Sequence, residues 1–165
     1  MSTTEDWESR AAALWTAIDD HEPAEFRARI EALVGELPPD SPVGAFELAC
    51  ANDSTGRPEQ AEPLYREALD SGLSGYRRRR ALIQLASTLR NLGRPEESVA
   101  LLTAERGRQD ADESVATLDD ALDAFLALAL VDVGREREAV GLALNALAKH
   151  LPRYNRSLSY YAAHL

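Results

Sequence analysis

One cysteine, Cys50, occurs in 165 residues, which excludes an internal disulfide and a multi-cysteine metal site. Nine glycines and eight prolines are too few turn formers for an all-β chain. No apolar run approaches the ~20 residues needed to cross a bilayer. The richest stretch, residues 121–133, is broken by Asp123 and Asp132. The opening Met1-Ser2-Thr3-Thr4-Glu5-Asp6 is acidic and has no apolar signal core. Bases are outnumbered 18 to 28, giving a net charge of −10, and such a chain repels nucleic acid at long range. The expectation is a soluble, reducing, cytoplasmic protein with no membrane and no nucleic-acid partner.

What is present favours helix. Apolar residues make up 45% and charged residues 28%, a globular composition dominated by Ala, Leu, Arg and Glu, all strong helix formers. Charge is unevenly spread: residues 77–109 carry 8 arginines against 3 acids, and residues 110–134 carry 7 acids and no base.

Three segments share one pattern: Gly56-Arg57-Pro58-Glu59-Gln60-Ala61, Gly93-Arg94-Pro95-Glu96-Glu97-Ser98 and Gly134-Arg135-Glu136-Arg137-Glu138-Ala139. His21-Glu22-Pro23-Ala24-Glu25-Phe26 is a fainter fourth. Glycine suits a left-handed residue that ends one helix, and proline suits the first turn of the next. A carboxylate there favours the helix dipole, and the small residue that follows lets two helices approach closely. The copies therefore read as turns inside antiparallel helix pairs. Helix-period runs flank them: 7–20, 42–53, 76–92 and 113–133 before, and 23–37, 58–70, 95–106 and 135–150 after. Ser41-Pro42 has the form of an N-cap with proline at the first helical position. A last amphipathic piece, 153–164, has Leu158 and Tyr161 at helical spacing and is expected to cover the end of the stack. That makes nine helices.

This pattern resembles the tetratricopeptide repeat, a helix–turn–helix unit of 34 residues. The matches are Leu48, Ala49, Ala61, Tyr65 and Ala68 in one copy, then Leu82, Leu85, Ala86, Leu89, Ser98 and Leu102 in the next. Leu126, Ala127, Leu130, Ala139, Ala143 and Ala146 follow in a third. A degenerate first copy keeps Leu14, Phe26, Leu33 and Pro38. The run from Gln84 to Gly93 is similar to that of small stand-alone bacterial proteins of this superfamily. The resemblance implies an all-α, right-handed superhelix of antiparallel helix pairs in a single domain over 1–165. Its parts would be a degenerate pair at 7–38, repeats at 42–71, 76–108 and 113–151, and a capping helix at 153–164.

The resemblance also implies a non-catalytic module that binds a partner peptide or helix in a concave groove lined by the first helix of each pair. The family's groove positions fall on Phe46, Cys50 and Asp53, then Arg80, Ile83, Ser87, Arg90 and Asn91, then Ala124, Leu128 and Val131. The degenerate copy would add Ala11, Trp15 and Ile18. Arg80, Arg90 and Asn91 would complement a carboxylate on the bound segment, or the arginines pair with local acids such as Asp53. Phe46, Glu47 and Cys50 stand where a clamp for a chaperone tail would begin, which argues against that clamp.

Other candidates have duller readings beside the functional ones. Arg77-Arg78-Arg79-Arg80 point in four directions on a helix, so local pairing, with Glu67 or Asp70, competes with ligand binding. His21, His150 and His164 lack the i, i+4 pairing of a metal site. Cys50 sits among Leu48, Ala49 and Ala51 as a small hydrophobe with no base nearby. Trp7 and Trp15 serve the core or a partner-facing patch, a homodimer seam included. The carboxylate pairs lie at turns and helix starts. No catalytic, cofactor or metal set emerges, and the partner is another protein. The alternative is self-association through apolar faces as an assembly unit.

Overall fold

The computed structural model describes residues 4–110 and 112–165. Nine α-helices run through them: α1 Thr4–Thr16, α2 Pro23–Val34, α3 Pro42–Ser54, α4 Pro58–Asp70, α5 Gly75–Asn91, α6 Pro95–Arg106, α7 Asp119–Asp132, α8 Glu136–Ala148 and α9 Asn155–Ala162. The described residues contain no strand. No helix among them is long and apolar enough to cross a membrane. The chain divides into two compact units, Met1–Leu73 and Ser74–Leu165.

The repeated turns share one geometry. Gly56, Gly93 and Gly134 have φ of 76°, 75° and 75°. In each case the next residue's N–H reaches back five residues, Arg57 to Asn52, Arg94 to Leu89 and Arg135 to Leu130, at 2.9 Å. That bond closes the helix end as a Schellman turn. Pro42, Pro58 and Pro95 each open a helix where no N–H is required. The Ser41 hydroxyl accepts from the Gly44 N–H at 3.2 Å, as its capping position anticipates.

Two boundaries depart from the periodic pattern. The run 7–20 divides into α1 and a 3-10 turn, Ile18–Asp20, and His21 leaves it at φ −122°. No left-handed residue is needed there, which accounts for the absence of glycine in this faint copy. The run 113–133 likewise begins with a 3-10 segment, Glu113–Leu118, started by the Asp112 carboxylate accepting from the Ser114 N–H. The serine hydroxyl and N–H together hold the Asp112 carboxyl below its usual range.

In the first unit, Trp7, Ala11 and Leu33 form one apolar cluster and Phe26, Ile30 and Ala51 another. Trp7 donates to the Leu33 carbonyl at 2.8 Å. Trp15 packs edge-on against Phe26 and donates to the buried Glu47 at 2.6 Å. In the second unit one cluster joins Ile83 and Ala86 of α5, Val99 and Leu102 of α6, and Leu122, Leu126 and Leu130 of α7. Ala61, Ser98 and Ala139, the small residues of the repeated turns, are all buried.

Helix α9 packs on α8. A Cβ at Gly141 would stand 2.8 Å from the Ala162 carbonyl oxygen, so the approach depends on glycine. Ala162 is buried and Leu158 half-buried, but Tyr161 points to solvent. The inner face of α9 is thus set by Leu158 and Ala162, and not by Leu158 and Tyr161 as the spacing suggests.

Candidate functional site

Counting back from Gly93 and Gly134, Ser87 and Leu128 occupy the same place in successive pairs, as do Arg90 and Val131, and Asn91 and Asp132. All lie on the first helices, α5 and α7, which pack together in the second unit. On α5 the residues not buried include Arg80, Gln84, Ser87 and Asn91, at i, i+4, i+7 and i+11, which is one helical stripe. On α7 Ala124, Leu128 and Val131 make the corresponding stripe. Leu128 and Val131 are each 48% exposed. The Arg90 guanidinium donates to Asp132 across the two helices, tying the stripes together at one end. The face is polar along α5 and apolar along α7.

The other groove positions lie elsewhere. Phe46 and Cys50 are buried in the first unit, and Ile83 belongs to the second unit's core. Asp53 accepts from the Tyr65 hydroxyl at 3.2 Å. Burial pushes the Tyr65 hydroxyl's pKa up, with Cys50 and Asp53 adding to it. Ala11 is buried, and Trp15 and Ile18 are half-buried against the Phe26 cluster. The positions open to contact are concentrated on α5 and α7.

The arginine run is divided between tasks. Arg78 Nη1 donates to both Glu105 oxygens at 2.9 Å, and Arg79 Nε donates to Glu105 at 2.8 Å. Arg79 Nη1 reaches Asp119 at 2.8 Å. The acids serving Arg78 and Arg79 therefore come from α6 and the start of α7, and not from Glu67 or Asp70 of α4. Antiparallel packing brings the end of α6 beside the start of α5. Glu105 is 4% exposed and Arg79 equally buried. Arg106 Nε donates to the buried Asp123 at 2.6 Å.

Glu105 draws no notice in the sequence and Asp123 only as a break in an apolar run, yet a signal for burial exists. Ser98, Leu102 and Glu105 sit at i, i+4 and i+7, all buried, so Glu105 extends the inward stripe of α6. Asp123 stands beside Leu122 and Leu126 on the inward face of α7. A carboxylate on such a stripe requires a cation.

A polar cavity of about 660 Å³ opens in the second unit, lined by residues including Arg79, Arg106, Arg108, Asp119, Asp123 and Lys149. Of the carboxylates that line it, Asp119 and Asp123 are held by Arg79 and Arg106, and Lys149 donates to Asp120 at 2.5 Å. The Lys149 ammonium and then the His150 ring keep the Asp120 carboxyl below its usual range. These pairs fasten α5, α6, α7 and α8. Among the described residues no group of three or more His, Cys, Asp or Glu side chains could hold a metal ion.

A profile of the family described as tetratrico peptide repeat matches residues 42–165, most of the chain. No curated protein and no solved structure matches.

Proposed function

Because the chain belongs to the tetratricopeptide repeat family, whose helix pairs are in general protein-interaction modules and not catalysts, we propose that the α5–α7 face binds a segment of another protein. The observation that carries this reading is the pair Leu128 and Val131, each 48% exposed, beside the polar stripe of Ser87 and Asn91. An extended peptide or a helix would bury apolar side chains on α7 and satisfy hydrogen-bonding groups on α5. Ile83 supports that face from the second unit's core, while Phe46 and Cys50 are buried in the first unit. Arg90, committed to Asp132, shapes its end, and Arg80 lies at the other end of the α5 stripe. Asp53 works through Tyr65 in the first unit.

The test is selection of binding peptides from a displayed library, followed by affinity measurement against variants. Leu128→Glu and Ser87→Arg should each weaken the selected peptides by about tenfold or more, the scale of one lost apolar anchor. Val140→Glu, at an equally exposed apolar residue on α8, should leave affinity unchanged. Peptides indifferent to both α5–α7 changes and sensitive to Val140→Glu would overturn the reading.

A further inference from the structure

Three of the chain's five tyrosines crowd the outer face of α9. Tyr154, Tyr160 and Tyr161 are 77%, 61% and 67% exposed, and with Arg156 they line a shallow depression. Tyr160 packs edge-on against Tyr161 and tilts over His164, so the rings hold one another in place. Neither Arg153 nor Arg156 has an acid partner among the described residues, although most bases of this acidic chain are paired. Tyr154 is also the one non-glycine with positive φ among the described residues, at 70°. A bulky side chain there costs backbone energy, and burial does not compensate a ring left in water. These three observations mark a surface that lacks its occupant.

The complementary surface is on the same sequence. In the first unit a crevice of about 340 Å³ is walled by Val34, Leu37, Pro38, Leu48 and Leu64, with Glu31 and Glu67 also lining it. Neither carboxylate has a basic partner among the described residues. Residues 4–73 hold 16 acids and 5 bases, whereas residues 135–165 hold 5 bases and 2 acids. One surface is aromatic and cationic, the other apolar and acidic.

We infer that α9 of one copy docks in the Glu31–Glu67 crevice of a second copy, burying tyrosine rings between its apolar walls and setting the arginines against its carboxylates. Tyrosine and arginine are the residue types that most often anchor such contacts. Because the two surfaces differ, the contact is heterologous, and a dimer keeps one of each unused: a free crevice on one copy and a free α9 on the other. Assembly therefore continues beyond two copies unless a ring closes. The contact uses neither stripe of the α5–α7 face and stands independently of the peptide-binding reading.

Sedimentation velocity of the full chain tests this. The wild type should gain mass with concentration, and adding about 1 M salt, where screening acts over about 3 Å, should weaken that gain. Tyr160→Ser/Tyr161→Ser removes the anchors, and Glu31→Lys/Glu67→Lys reverses the charge of the crevice. All four positions lie on the surface or at a crevice lining, and helicity by circular dichroism should stay at the wild-type level. Each double variant alone should lose at least about tenfold in association. Mixed together they should form a heterodimer that stops at one copy of each, since only one intact α9 and one intact crevice remain. A wild type that stays monomeric at every concentration would overturn the inference. So would a crevice variant that associates as strongly as the wild type, which is the signature of α9 meeting α9. Absence of the mixed heterodimer while the wild type assembles would also overturn it.

Discussion

Removing Glu105 should destabilise the second unit more than removing any surface acid. Its carboxylate accepts three hydrogen bonds from two guanidiniums, and both Glu105 and Arg79 are almost wholly withdrawn from water. Breaking a buried pair by deleting one partner costs about 3–5 kcal/mol, because the remaining charge is left buried. Here Arg79 keeps Asp119, and the Arg78 side chain is 20% exposed and can hydrate. The lower end of that range, ~3 kcal/mol, is therefore expected for Glu105→Ala. Glu105→Gln retains the volume and one acceptor, and should cost about 2 kcal/mol. Replacing both partners, Arg79→Met with Glu105→Leu, removes the charges together and should cost less than Glu105→Ala. Urea denaturation followed by circular dichroism measures all three, provided the slope with denaturant is unchanged. A loss below about 1 kcal/mol for Glu105→Ala, the size expected of an exposed pair such as Arg135–Glu138, would refute the reasoning. A double variant worse than Glu105→Ala would refute it as well.

The Ser98 hydroxyl is buried without a hydrogen-bond partner, so Ser98→Ala should raise stability by about 1 kcal/mol in the same assay; a loss would show that the hydroxyl is satisfied. Gly93→Ala should cost about 1–2 kcal/mol through left-handed backbone strain alone, since an added Cβ there meets nothing within 4 Å. A neutral result in thermal melts would place the burden elsewhere in the turn. The Asp120 carboxyl is lowered from 3.8 in the folded chain by Lys149 and then His150. Its contribution to stability is therefore full above that ordinary value and fades as pH falls through the depressed one. Melts from neutral pH downward should show Asp120→Asn less stable at neutrality and converging on the wild type in acid; a constant gap would sink the assignment.

The helix pairs are legible in the sequence because each turn depends on local chemistry. Gly56, Gly93 and Gly134 must adopt a conformation that other residues resist, and Pro42, Pro58 and Pro95 occupy the first position of their helices. The contacts that give the second unit its charge network are not local. Glu105 lies 26 residues from Arg79, and Asp119 lies 40 away, so periodicity shows that Glu105 faces inward but not which base meets it. Groove positions have the same limit. A place in the repeat says which side of its helix Phe46, Cys50 or Ile83 occupies, while the depth of cover over that side depends on neighbouring side chains. Leu128 and Val131 share the apolar character of Leu126 and Leu130, and only packing separates exposed from buried. The start of α7 departs from the periodic run for a different reason: Asp112 captures the Ser114 N–H and hydroxyl, a local bond that competes with helix and leaves the hydrophobic spacing intact.

On the docking inferred for α9, the left-handed backbone at Tyr154 sets heat resistance against assembly. Glycine at this position would relax the chain at no steric expense, so laboratory evolution under rising temperature should fix it early. Such lineages would shed an aromatic contact as they gained thermal tolerance. Among natural descendants, the residue kept at 154 would then disclose whether endurance or company was under selection.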